Sequence, residues 1–145
     1  MTSARPNRET TGSGTPLPKK LGIKPGTRLV LVDAPPEFEA STLQPMPDGV
    51  RVRRSARGGP ADVIVAFHTE RAVLQRRLNK LRALMEPNAA LWIAWPKKAS
   101  RRPTDITEDV VREIALATRL VDTKVAAVDE IWSGLRLTIR VEDRA

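Results

Sequence analysis

The residues best suited to chemistry stand just after apolar runs. Asp33 follows Leu29-Val30-Leu31-Val32, and His68 follows Val63-Ile64-Val65-Ala66-Phe67. Trp95, Lys97 and Lys98 close the run Ala90 to Trp95, and Glu130 and Trp132 follow Lys124 to Val128. His68 carries an imidazole whose ordinary pKa of ~6.5 suits proton transfer near neutrality; its plainer role is a hydrogen bond to a helix start. Asp33 can accept from a ligand hydroxyl or amine, or it can simply shape the turn before Pro35. Lys97 and Lys98 offer point charges to a phosphate or carboxylate, or stay solvated. Trp132, beside Ser133-Gly134, can cover a ligand face or cap the core. Trp92 and Trp95 are three apart in a strand and so point to opposite faces, each fit for packing under a helix.

Those positions matter together only if the apolar runs are strands of one sheet. Each run is short and nearly continuous, the pattern of a strand buried on both faces. Between the runs at 63–67 and 90–95, Leu74, Leu78, Leu81 and Met85 recur at helical spacing, with Thr69 as the expected N-cap and Pro87-Asn88 as the stop. This is a strand–helix–strand unit, whose crossover is right-handed in nearly all known cases. A second helix is expected from Asp105, paired with Glu108 as a capping box, to about Leu120. Val50-Arg51-Val52-Arg53 alternates as a half-exposed edge strand, and Glu37 to Gln44 reads as a short helix. Leu135 to Val141 alternates as a final antiparallel edge strand. The fold class expected is α/β, a three-layer, mostly parallel six-stranded sheet with an antiparallel C-terminal edge strand. In such sheets ligands sit beyond the carboxyl ends of the strands, where strand order reverses. All seven candidates fall on that edge.

Composition narrows the chemistry. The chain has 145 residues, the size of one domain, with no cysteine and one histidine. Disulfides, thiolate chemistry and a usual zinc site are excluded. Residues 1–14 are polar, without apolar periodicity, and are expected to be a disordered tail before a single domain at 15–145. No run reaches the ~20 apolar residues of a membrane span, and no secretory signal is present, so a cytoplasmic location and no membrane partner are expected. The net charge of +8 invites a nucleic-acid partner, although the basic residues are scattered and aromatic platforms are few. The first strand is not followed by a Gly-x-Gly-x-x-Gly loop, and Pro35 and Pro36 have no N–H to donate.

Two resemblances enter on particular residues. The order of elements from Lys24-Pro25-Gly26 through Asp62-Val63-Ile64-Val65 and Leu81 to Leu91-Trp92-Ile93, with a closing hairpin, is similar to a shortened class I methyltransferase, a Rossmann-like fold. That resemblance implies S-adenosylmethionine, but the family's glycine-rich loop is missing, and Arg53-Arg54 stands where an acidic residue usually holds the ribose. The second is to a bacterial family of uncharacterised proteins, domain of unknown function 3052. Its phrases resemble Lys20 to Gly26, Trp95-Pro96-Lys97-Lys98-Ala99-Ser100, Thr104 to Arg112 and Val128 to Leu135; this family implies no activity.

The sequence therefore favours a non-catalytic module without a cofactor, binding an anionic small molecule or an acidic protein partner through Asp33, His68, Trp95, Lys97, Lys98, Glu130 and Trp132. The alternatives are an S-adenosylmethionine-dependent methyltransferase with an atypical cofactor loop, and a nucleic-acid-associated regulator using the tail and Arg51, Arg53 and Arg54.

Overall fold

A continuous apolar strand must be covered on both faces, and the computed structural model does this with two separate cores. It describes residues 15–144, so the tail expected at 1–14 lies outside the described residues. The elements run α1 (Leu17–Lys20), β1 (Arg28–Val32), β2 (Arg51–Arg53), β3 (Ala61–Phe67), α2 (Arg71–Ala83), β4 (Met85–Pro96), α3 (Glu108–Ala117), β5 (Leu120–Ala127) and β6 (Trp132–Ile139). The six strands form one sheet in the order β2-β1-β3-β4-β6-β5. β2, β1, β3 and β4 are parallel neighbours, and β6 is antiparallel to both β4 and β5. The antiparallel strand thus lies one place in from the edge, and β5 ends the sheet.

One core packs Leu74, Leu78 and Leu81 of α2 and Val111 and Ile114 of α3 on Val30, Ile64, Leu91, Ile93 and Leu135. The opposite core packs Leu17 of α1 and Leu21 at its C-cap, together with Phe38 and Leu43, on Leu29, Leu31, Val65 and Trp92. Phe38 belongs to a single turn at Phe38–Thr42, where a short helix was expected. The indole of Trp92 is fully buried, and its Nε1 donates to Leu21 O at 3.1 Å, which ties α1 to the sheet. Trp95, three residues on, belongs to the other core, so the two indoles face opposite layers.

The amino ends of three strands are fastened by one arginine. Arg28 Nε and Nη2 donate to the two carboxylate oxygens of Asp62 at 3.0 and 2.8 Å, and Nη2 also reaches Glu86 at 2.7 Å. Arg28 N donates to Asp62 as well.

Three local expectations are corrected. Met85 is not the last residue of the helix; it begins β4, opposite Ala61. Pro87 then lies inside β4, where the β3–β4 register shifts between Ala61 and Val63 and a missing N–H costs no ladder bond. Thr69 does not cap α2: Glu70 holds that position without a side-chain bond. Asp105 supplies the cap from a distance, its Oδ1 accepting from Arg71 N at 2.7 Å, while Thr104 Oγ1 donates to Thr69 O at 2.7 Å. The cap of α3 is Thr107, whose Oγ1 accepts from Val110 N at 3.2 Å. Among the described residues no helix is long and apolar enough to cross a membrane.

Gly134 shows how closely β6 is packed. A Cβ there would stand 3.2 Å from Trp92 and 3.2 Å from Val128. Gly134→Val is expected to cost about 1–3 kcal/mol of stability through overpacking, read as a lower midpoint in urea unfolding.

Candidate functional site

Strand order reverses between β1 and β3. From β1 the chain passes through the Phe38–Thr42 turn to β2 on one side, and from β3 it passes through α2 to β4 on the other. The register Leu29↔Val63 to Val32↔Ala66 brings Asp33, one residue on, and His68, two residues on, to the same end of the sheet. Because β6 is antiparallel, its first residue, Trp132, comes to that end too.

A cavity of about 360 Å³ opens there, lined by Asp33, Phe67, His68, Thr69, Glu70, Val73, Arg77 and Trp132. A second of about 360 Å³ lies on the other side of Asp33 and is lined by Leu31, Ala34, Pro35, Pro36, Glu39 and Arg54. Phe67 stands edge-to-face with Trp132 at 5.0 Å and with Phe38 at 4.9 Å, forming an aromatic wall.

Asp33 has φ 55, a left-handed conformation that costs an ordinary side chain energy and is tolerated by Asp and Asn. It swings the carboxylate toward α2, where Arg77 Nη1 donates to it at 2.5 Å. The same Nη1 lies 3.5 Å from His68 Nε2. His68 N donates to Ala94 O at 3.0 Å, carrying the β3–β4 pairing one residue further and holding the ring at the strand end. The ring is buried, 3% exposed, and its Nδ1 has no hydrogen-bond partner. Burial pushes the imidazole pKa down, and the Arg77 guanidinium pushes it down further. Asp33 and, least of all, the Ala66 backbone pull it back only in part. The side chain is therefore neutral at pH 7, able to take a proton but not to supply one.

Of the seven candidates, Asp33, His68 and Trp132 meet at this cavity. Trp95 is packed in the core beneath α2 and α3. Lys97 is bound through its backbone, N to Ile131 O at 2.7 Å, and Lys98 opens a one-turn helix at Lys98–Ser100. Glu130 is exposed. Arg77 looks in the sequence like one more scattered base. Its signal is its phase: it follows Leu74 by three residues and Val73 by four, so it lies beside the buried stripe, toward the strand ends. Glu39 and Arg54 form an ion pair at 2.6 Å, which brings a carboxylate to the carboxyl end of β2 although none stands there in the sequence. Among the described residues no group of three His, Asp or Glu gathers to hold a metal ion.

The single histidine makes a pH test clean. The unfolded chain binds a proton near pH 6.5 that the folded chain resists, so stability falls as pH drops below about 6.5. Asp62 and Asp143 are held below the usual carboxylate range by Arg28 and Arg119 and contribute only at lower pH. His68→Gln is expected to abolish the decline between about pH 6.5 and 5 in urea-unfolding midpoints. In Arg77→Gln the imidazole midpoint followed by NMR should rise, because a cation is lost and Asp33 is left facing the ring.

No protein-family model matches the chain, and no curated protein matches it either. Solved structures do share its fold. A magnesium protoporphyrin IX methyltransferase from Synechocystis, with S-adenosylmethionine bound, is 10% identical with a TM-score of 0.57, over 86% of this chain and 74% of that one. An S-adenosylmethionine-dependent methyltransferase from Aquifex aeolicus is 17% identical with a TM-score of 0.55, over 84% and 87%. A putative methyltransferase from Thermoplasma acidophilum is 11% identical with a TM-score of 0.55, over 82% and 70%. The sequence-based expectation of a non-catalytic module with no cofactor is corrected by this likeness, since the solved structures that share the fold are methyltransferases, one of them with S-adenosylmethionine bound. The fold is that of a methyltransferase-like Rossmann domain, with a six-stranded, mostly parallel sheet and antiparallel C-terminal strands.

Proposed function

We propose that the chain is an S-adenosylmethionine-dependent methyltransferase in which side chains do the work of the missing glycine-rich loop. The observation that carries this reading is the pair of cavities flanking Asp33 at the β1/β3 switch point, on a fold shared with methyltransferases. Pro35 and Pro36 withhold backbone donors, so the hold must come from charged groups, and these fit the cofactor. The carboxylates of Asp33 and Glu39 are acceptors suited to ribose hydroxyls or an ammonium group, and Arg77 can take a carboxylate. The ring faces of Phe67 and Trp132 attract a cation such as a sulfonium.

When bound, the cofactor supplies an electrophilic methyl group. The chain's own part is to exclude water with the aromatic wall, orient the acceptor and remove its proton. Neutral His68, with Nε2 beside Arg77, is the base in this reading: the acceptor's proton goes to Nε2. Arg77, already paired with Asp33, raises the cost of charging that imidazole until an incoming acid group draws the guanidinium away. The resemblance to domain of unknown function 3052 belongs with this reading, since three of its phrases border the same edge.

Calorimetric titration with S-adenosylmethionine tests the proposal. Saturable binding is expected, and no heat at millimolar ligand would end the proposal. Asp33→Asn keeps the left-handed backbone but loses the charge, and should weaken binding about 10–100-fold, the worth of a hydrogen bond to a charged group. His68→Gln should bind the cofactor within a few-fold of the parent protein, because a base is not a holder.

A further inference from the structure

Arginines and lysines are treated differently by this fold. Among the described residues, every ion pair uses an arginine: Arg28, Arg54, Arg71, Arg77, Arg112, Arg119 and Arg140 all meet a carboxylate. Among the described residues the lysines meet none, and Lys20 and Lys124 gather on the α1 side of the sheet. Lys20 of α1 reaches over the end of β5, its Nζ donating to Ala127 O at 3.0 Å. Three residues back on β5, Lys124 stands directly opposite Arg136 of β6, and Arg136 stands opposite Trp92, whose indole lies in the α1-side core. Cross-strand like charges destabilise a sheet, yet Arg136 is turned no further than Thr123 Oγ1, at 2.9 Å. Lys97 comes from the other flank of β6, where Pro96 pairs with Trp132. Two nearby acids are spent elsewhere, Asp122 on Arg112 at 3.0 Å and Asp129 Oδ1 on the backbone N–H groups of Ile131 and Trp132 at 2.8 Å, while Glu130 in the same turn is exposed.

We infer that Lys20, Lys97, Lys124 and Arg136 form a landing surface for the phosphate backbone of a nucleic acid, which carries the group to be methylated to the adjoining cavity. The link to the cavity is the turn 129–132: Lys97 N holds Ile131 O, and the next residue, Trp132, lines the cavity wall. Point charges along a sheet edge suit a repeating phosphate chain, and Arg136, which meets no carboxylate among the described residues, adds a planar donor beside them. Lys20 is consistent with this: burial lowers its pKa first, and Lys124 and Lys97 lower it further, with no acid opposing them. Of the arginines proposed from the sequence, Arg51, Arg53 and Arg54, two are already engaged. Arg54 is bound to Glu39, and Arg53 Nη2 donates to Gly59 O at 2.6 Å.

This inference rests on the methyltransferase reading for what happens in the cavity, but its test is separate. Fluorescence anisotropy with a labelled mixed-sequence RNA strand and a DNA duplex, across a salt series, compares two variants of equal charge. Lys20→Gln/Lys124→Gln should weaken binding about 10-fold or more and reduce the salt slope by about 1.4 on the single strand, two lost phosphate contacts at ~0.7 each. Arg101→Gln/Arg102→Gln, with both changes on the exposed loop after β4, should change it less. Preference between strand and duplex identifies the source of the phosphates. Absent binding, equal loss in both variants, or competition by poly-glutamate as effective as that by unlabelled RNA would overturn the inference. Cofactor titration of the lysine variant keeps the two ideas apart: RNA binding without cofactor binding removes only the methyltransferase reading.

Discussion

The parallel pairing of β1 with β3 is the constraint from which the rest follows. Two strands that lie side by side but send their chains in opposite directions leave a crevice beyond their carboxyl ends, where the connections diverge. At the amino ends Arg28 clasps Asp62 on β3 and Glu86 on β4. A crevice beyond paired strand ends has rigid walls, and side chains on its rim are positioned by strands rather than by long loops. Asp33, His68 and Trp132 are the residues that the three strand ends deliver to it.

Electrostatics gives the cleft its character. A buried imidazole next to a guanidinium resists protonation twice over, by lost hydration and by repulsion. Asp33 moderates this and in turn occupies Arg77, so the three groups form one adjustable unit whose charge depends on what enters. The glycine-rich loop that is absent in sequence is also absent in function as a backbone cradle, since the residues after Asp33 are Ala34, Pro35 and Pro36. The chain brings Glu39 to the end of β2 through the Phe38–Thr42 turn and so restores a carboxylate by a different route.

Much of the sheet was legible because burial on both faces leaves an unbroken apolar run, and because Trp92 and Trp95, an odd number apart, must face opposite layers. Strand order was less so. Nothing local tells β6 to enter between β4 and β5, since Leu135–Val141 alternates as an edge strand does. The Asp105–Glu108 spacing fits a capping box, but Thr107 caps α3 and Asp105 crosses to α2; a short acidic side chain can serve whichever helix start is closer in space. Met85 fits the helical stripe and equally fits the first inward position of β4, as an apolar residue at a helix–strand junction can. In the site, strand ends announced Asp33 and His68. Arg77 did not announce itself, because the phase of a helix relative to a cleft is a tertiary fact. Trp95, Lys97, Lys98 and Glu130 share the right edge of the sheet but not the right face or direction.

The central claim is that the cleft between the ends of β1 and β3 is the cofactor site. Backbone-amide NMR of the protein titrated with S-adenosylhomocysteine, which cannot transfer a methyl group, tests it most directly. The account predicts saturable shifts concentrated at Asp33, Ala34, His68, Thr69 and Arg77, with Asp62 and Glu86 at the opposite edge unmoved. No shift at millimolar ligand, or shifts centred on that opposite edge, would contradict it.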